Sequence, residues 1–270
     1  MTKSEHSNMP VLALLAGAGL WGVVWYPMRL LQDAGLSGLW LTAYLYLVCA
    51  VAGSVLAWRY LRWFKHRPWL LFIIAVTAGW TNLAFILAIL EGNIMRVLFL
   101  FYLSPIWAIV LGWLFLKERI NAYTIGILVM AMIGGVMMLQ QPGQTWPWPA
   151  NFIDWLALSS GFAFAVSNIF IRYGQEIPVA LKSFASWIGV TVVAVVFILI
   201  LQPEVPRVDV SVHAGVVMLA LFGMLAMTVF VQYGVSNMPV HRSAIILLFE
   251  LVVGAISQQL LTHETMTLIE

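Results

Sequence analysis

Nine stretches of about 20 mostly apolar residues, parted by short polar or Pro/Gly-bearing breaks, decide what this chain can fold into. In hydrocarbon a backbone N–H or C=O has no water to bond. Such stretches are therefore stable there only as helices that satisfy their own backbone. The runs lie near 10–31, 38–60, 69–90, 96–116 and 121–140, and, after the Pro- and Trp-rich break Gln141–Pro149, near 152–174, 180–201, 213–236 and 243–262. The expected fold is an all-α membrane protein.

Composition narrows the alternatives. Of 270 residues, 63% are hydrophobic and 9% charged, too few charges to cover a water-facing surface. The formal charge of +2 comes from Lys and Arg in short loops, without the basic stretch and interleaved aromatics that track a phosphate backbone, so nucleic acid is not an expected partner. Cys49 is the single cysteine and lies in an apolar run, which rules out an internal disulfide or thiolate metal site. His6, His66, His213, His241 and His263 are scattered over loops and helix ends, so neither a metal nor a cofactor is expected. The first run is too long for a signal peptide, and its small residues, Ala16 to Gly19, lie mid-run rather than at its end.

Charge placement orients the chain. With the N-terminus inside, Lys3, Arg59, Arg62, Lys65, Arg67, Lys117, Arg119, Arg172, Lys182 and Arg242 fall on the cytoplasmic side, leaving Arg29, Arg96 and Arg207 outside. That asymmetry predicts a multi-pass inner-membrane protein with a cytoplasmic N-terminus.

An internal repeat is visible. A shift of 146 residues lays Arg96 on Arg242, Leu114 on Leu260 and Glu118 on Glu264, and a shift of 143 lays Arg29 on Arg172. Each pair occupies the same edge of equivalent runs. An odd number of spans per repeat turns the second copy upside down, predicting a 5+5 inverted repeat: residues 1–140, a connection at 141–151, and 152–270. The partner of 121–140 would then lie near 267–286, so the tenth helix is expected to be cut off at Glu270, with nine spans visible.

The motifs resemble those of the drug/metabolite transporter superfamily, specifically its EamA family of ten-helix carriers, across essentially the whole chain. Leu20-Trp21-Gly22 is similar to the family's early Trp-Gly pair. Leu103-Ser104-Pro105 through Leu116-Lys117-Glu118-Arg119-Ile120 is similar to its apolar run closing in Gly-Glu-Arg, with a second copy at Phe249-Glu250-Leu251 through Leu261-Thr262-His263-Glu264. Leu251 stands where the family often has Pro, Lys117 and His263 replace the usual Gly, and Thr265 replaces the Arg. The resemblance implies a secondary carrier, similar to exporters of amino acids, including aromatic ones, and of other metabolites or drugs.

Candidate functional residues follow from cost. Glu250 lies about seven residues inside its run, where a carboxylate costs at least about 2.5 kcal/mol unless it meets a cavity, a partner or a proton. It is the expected coupling or substrate-ammonium group, with structural hydrogen bonding between helices as the alternative. Trp21, Trp25, Trp80, Phe85 and Tyr102 are candidates to line an apolar cavity, alongside Tyr26 and Trp107; interface anchoring competes for such aromatics. Asn82, Ser167, Asn168 and Gln232 are polar inside spans, hence substrate ligands or interhelical glue, and in similar carriers the third and sixth spans border the central cavity. Pro27 and Pro105 are candidate gating kinks. Glu118 and Glu264, at membrane edges, are expected to cap helices or pair with loops.

The chain has no Gly-x-x-x-x-Gly-Lys-Ser/Thr pattern, so any active transport must draw on a gradient. An enzyme would need an intramembrane nucleophile with its base, a His-Glu-x-x-His helix or a carboxylate cluster, none of which the sequence holds. A channel would need rings of polar groups, normally built by oligomerisation, whereas an internal repeat predicts a self-sufficient monomer. Few fixed charges and many aromatics favour a zwitterionic or hydrophobic solute over a phosphorylated one. Efflux of drug-like compounds is the alternative.

Overall fold

A computed structural model of the chain describes residues 8–118 and 149–261, with scattered positions between 122 and 133. The described residues are helical, without a strand, and eight helical segments are long and apolar enough to cross a bilayer. The expected span 121–140 and the Gln141–Pro149 break fall largely outside the described residues.

Helix α1 is Met9–Asp33, α2 is Gly38–Ala57 with a 3-10 extension Trp58–Lys65, and α3 is Pro68–Glu91. The fourth span is two helices, α4 (Ile94–Phe101) and α5 (Ser104–Leu116). Beyond the connection come α6 (Phe152–Tyr173) and α7 (Val179–Leu201). The eighth span is α8 (Val210–Met218), a π-helical turn Leu219–Met224 and α9 (Leu225–Asn237); the ninth is again two helices, α10 (Val240–Leu247) and α11 (Phe249–Leu261).

Contacts give the direction of each helix. Gly22 abuts Val253 and Trp25 bonds Ser257, so α1 and α11 run the same way. Trp21 meets Phe85 and Arg29 reaches Gly92, so α3 also runs with α1. Leu14 abuts Gly234 while Leu31 lies by Gly215, so the eighth span runs against α1. Gly92 meets Ile153 while Gly174 meets Leu70, so α6 runs against α3. Spans one and six therefore point in opposite directions, as do three and eight: the repeats are inverted. The ends agree with the 146-residue offset, since α3 and α9 end at Glu91 and Asn237 and α4 and α10 begin at Ile94 and Val240.

Glycine sets how closely the repeats pack. The backbone of Gly189 in α7 lies against Ala75 in α3, where an added Cβ would sit 2.0 Å from the Ala75 carbonyl oxygen. Gly161 in α6 meets the Phe101 carbonyl in the same way, at 2.3 Å. Lipid offers no hydrophobic drive for helix association, so such backbone proximity and its van der Waals contact supply much of the cohesion.

Gly189→Leu should prevent these helices from closing, abolishing the monodisperse peak in size-exclusion chromatography of detergent extracts. Gly19→Leu, a position with nothing within 4 Å, should leave that peak unchanged.

Candidate functional site

The fourth and ninth spans break at matching places. Tyr102 and Leu103 separate α4 from α5, and Leu248, 146 residues after Tyr102, separates α10 from α11. Shorter i to i−3 bonds bridge both breaks: Leu103 N–H to Leu100 C=O at 3.4 Å and Leu248 N–H to Ile245 C=O at 3.1 Å. Pro105 sits in the first turn of α5, where its missing N–H leaves no bond unmade. In the ninth span Leu251 takes that place, and the chain breaks there without proline. Pro27 lies within a continuous α1.

The breaks bring together Tyr102 and Glu250, whose side chains are buried and hydrogen-bonded, the phenol donating to the carboxylate. Glu250 also faces a narrow cavity of about 80 Å³. Trp21, Asn82, Phe85, Ser167, Asn168 and Gln232 line the same cavity, together with Thr81, Phe101, Phe164, Ser186 and Thr228. The cavity lies on the repeat axis. Trp21 and Phe164 are 143 residues apart, and Asn82 and Thr228, Phe85 and Val231, and Phe101 and Leu247 are each 146 apart, yet all eight line it. Glu250 breaks this symmetry, because its partner at that offset is Ser104.

Five expected residues lie off the cavity wall, among them Tyr26, edge-on to Trp25, and the exposed Trp107. Trp25 is buried between α1 and α11, donating its indole N–H to Ser257 Oγ at 2.9 Å. Trp80 donates to Ser159 Oγ at 3.2 Å and packs on Phe197. Tyr102 stands behind Glu250. Trp25 and Trp80 are hydrogen-bonded helix contacts, and a span that is apolar all round gives no periodic signal to say which face is inward. Thr81, Phe101, Phe164, Ser186 and Thr228 were not anticipated from sequence. Phe164 and Thr228 were nonetheless available as the repeat partners of Trp21 and Asn82.

The wall offers unused hydrogen-bonding capacity. Thr81 Oγ1 and Gln232 Oε1 are buried with no hydrogen-bond partner among the described residues. Asn82 is committed, its amide donating to Ala78 C=O and its oxygen accepting from Tyr46. Gln232 donates to Ser186 Oγ at 2.8 Å.

On the face where α1 ends, an aromatic cluster underlies the cavity: Phe85 and Phe101 centroids are 4.7 Å apart, and Phe101 and Phe164 are 5.1 Å apart. Nearer that face, Arg96 forms a two-pronged ion pair with Asp154, at 2.9 and 2.8 Å, joining α4 to α6 across the repeats. Asp154 also accepts from the Ala150 N–H, and Asn151 caps α6 at the Asp154 N–H. Towards the face where α1 begins, Lys182 is fully buried, and its three donors reach Ile171 C=O, Gly174 C=O and Ser236 Oγ. A lysine so satisfied is a helix-end clamp. Arg29 donates to Ile89 and Gly92 carbonyls, and its repeat partner Arg172 to the Ser236 carbonyl, so each closes the end of the third span in its own repeat. Glu118 accepts from the Val240 N–H and contacts His241 Nδ1 at 3.0 Å, capping α10 from the other repeat. Glu264 lies outside the described residues.

Paired inverted helical repeats, broken spans and a cavity on their shared axis define the architecture of a membrane carrier. The sequence matches the EamA-like transporter family over residues 8–140 and 151–270, and the chain belongs to that family. A search of curated protein sequences returns no significant match. Among solved structures, a chain described only as "Crystal structure of protein" is similar in fold, with a TM-score of 0.70 and 13% identity over 96% of this chain and 91% of its own.

Neutralising one half of the cross-repeat ion pair should be worse than neutralising both. Asp154→Asn takes the carboxylate away from the partly buried Arg96 charge, at a cost of about 3 kcal/mol, and Arg96→Gln with Asp154→Asn should recover part of the lost thermal midpoint in detergent.

Proposed function

We propose that this multi-pass membrane carrier exports small zwitterionic or amphiphilic metabolites, aromatic and hydrophobic amino acids foremost, by alternating access through the axial cavity. The observation that carries the reading is Glu250: a buried carboxylate on the cavity wall, at a helix break, with the Tyr102 hydroxyl as its hydrogen-bond partner. A carboxylate so placed needs a positive companion during the cycle, and a substrate ammonium or a proton meets that need. The substrate-binding set is then Trp21, Asn82, Phe85, Ser167, Asn168, Gln232 and Glu250. Thr81 Oγ1 supplies an open hydroxyl to donate to the substrate's carboxylate, Gln232 Oε1 an open acceptor for its ammonium, and Trp21, Phe85, Phe101 and Phe164 the apolar wall for its side chain. Tyr102 positions Glu250. The break at Pro105 is where the fourth span bends as the repeats rock, with Pro27 a second point of give in α1.

The lysine and arginine distribution supports an inner-membrane protein with a cytoplasmic N-terminus. Residues of both repeats of one chain line the cavity, which supports a monomer.

The test is counterflow uptake of a labelled amino-acid panel into proteoliposomes, with and without a pH gradient. Wild type should show saturable uptake that responds to the gradient, and Glu250→Gln should lose the gradient response and at least tenfold of the rate. Saturable transport unchanged in Glu250→Gln would remove Glu250 from the mechanism, and flux of sugar phosphates without amino acids would overturn the substrate class.

A further inference from the structure

A second concavity lies away from the axial cavity, on the lipid-facing side at the face where α1 begins. It runs between α1, the end of α2, the start of α7 and the end of α9. Met9, Leu12, Ala13 and Ala16 form one wall, and at 1.5 Å per residue they descend about 10 Å into the bilayer. Val55, Leu56 and Phe230 close the sides, and Trp187 packs on Gly53 at the floor. The walls are apolar and open laterally to lipid, with Val55 76% exposed.

The mouth carries charge of one sign. Arg59 lines the groove, and Arg62 and Lys65 follow on the same exposed 3-10 segment, Trp58–Lys65, while no acidic residue is among the described residues lining it. Tyr60 and Tyr233 stand beside Arg59, at the depth where tyrosine anchors to headgroups. An arginine at the interface above a chain-wide apolar slot is the chemistry of a phospholipid site: guanidinium to phosphate, acyl chain in the slot.

The repeat shows that this groove is particular to one face. Val229 and Tyr233, which line it, are offset by 146 from Leu83 and Leu87. Around those two residues the corresponding space between α2, α3 and α7 is packed with Ala43, Ala194, Ile198, Trp40 and Phe197, and Trp80 closes on Phe197. Trp80 falls on Ala226 at the same offset, so the filled side has an indole where the open side has a methyl group.

We infer that the groove between α1, α2, α7 and α9 binds one anionic phospholipid, its phosphate on Arg59 and an acyl chain along Met9 to Ala16. The site is separate from the transport cavity and does not depend on what the carrier moves.

The full-length protein, delipidated in dodecylmaltoside, is titrated with dioleoylphosphatidylglycerol, with dioleoylphosphatidylcholine and with inorganic phosphate, and its thermal unfolding midpoint is followed. Phosphatidylglycerol should raise the midpoint by several degrees and by at least twice the shift from phosphatidylcholine, with free phosphate inert. Arg59→Gln should equalise the two lipids, and Ala13→Trp, which fills the slot, should remove the response to both. The inference is overturned if wild type shows no preference for phosphatidylglycerol, if free phosphate reproduces the shift, or if the preference survives in either variant.

Discussion

The hydrogen bond from Tyr102 to Glu250 joins the helix breaks of the fourth and ninth spans. Interrupting a helix in hydrocarbon frees polar groups that water cannot reach, so a break persists only where protein or a cavity meets them. Here both spans tighten to i to i−3 bonds, and the side chains flanking the breaks face each other at the centre of the molecule. That meeting sets Glu250, with Phe101 and Leu247 beside the same breaks, against a cavity otherwise walled by α1, α3, α6, α7 and α9. It also places the one carboxylate among the described residues of the cavity wall at the junction of the two repeats.

Around this centre the scaffold divides its labour. Close backbone contacts at Gly161 and Gly189 pack helices from different repeats without side-chain spacers. Fixed charges are kept to the ends of spans, where Arg29, Arg172 and Lys182 hold helix-terminal carbonyls and Arg96 with Asp154 ties the repeats on one face. Glu118, capping α10, ties them at the other. The middle is thus left to apolar rings and uncharged polar groups, with Glu250 the exception.

Much of this was legible in the sequence because hydrocarbon is an unforgiving solvent. Apolar runs had to be helices, and their observed bounds differ from those read by three residues or fewer at most ends. Asn82, Asn168, Gln232 and Glu250 drew notice because a polar group inside a span must face something, and they do face the cavity. Aromatic residues carried less information, since Trp25 and Trp80 satisfy their indole N–H groups between helices, while Phe101 and Phe164, indistinguishable by composition from lipid-facing phenylalanines, line the cavity. The breaks at Tyr102 and Leu248 were invisible to hydropathy, which reports side chains and says nothing of the backbone. Pro105 hinted at the first, but the second has no proline.

Alternating access requires the axial cavity to open in turn to each side of the membrane. Asn168→Cys in a Cys49→Ala background, free of any other thiol, places a single reactive group on the cavity wall. Membrane-impermeant maleimide should label it in right-side-out and in inside-out vesicles alike, with saturating substrate slowing both. Labelling confined to one orientation under every condition would contradict alternating access and leave the cavity a one-sided pocket.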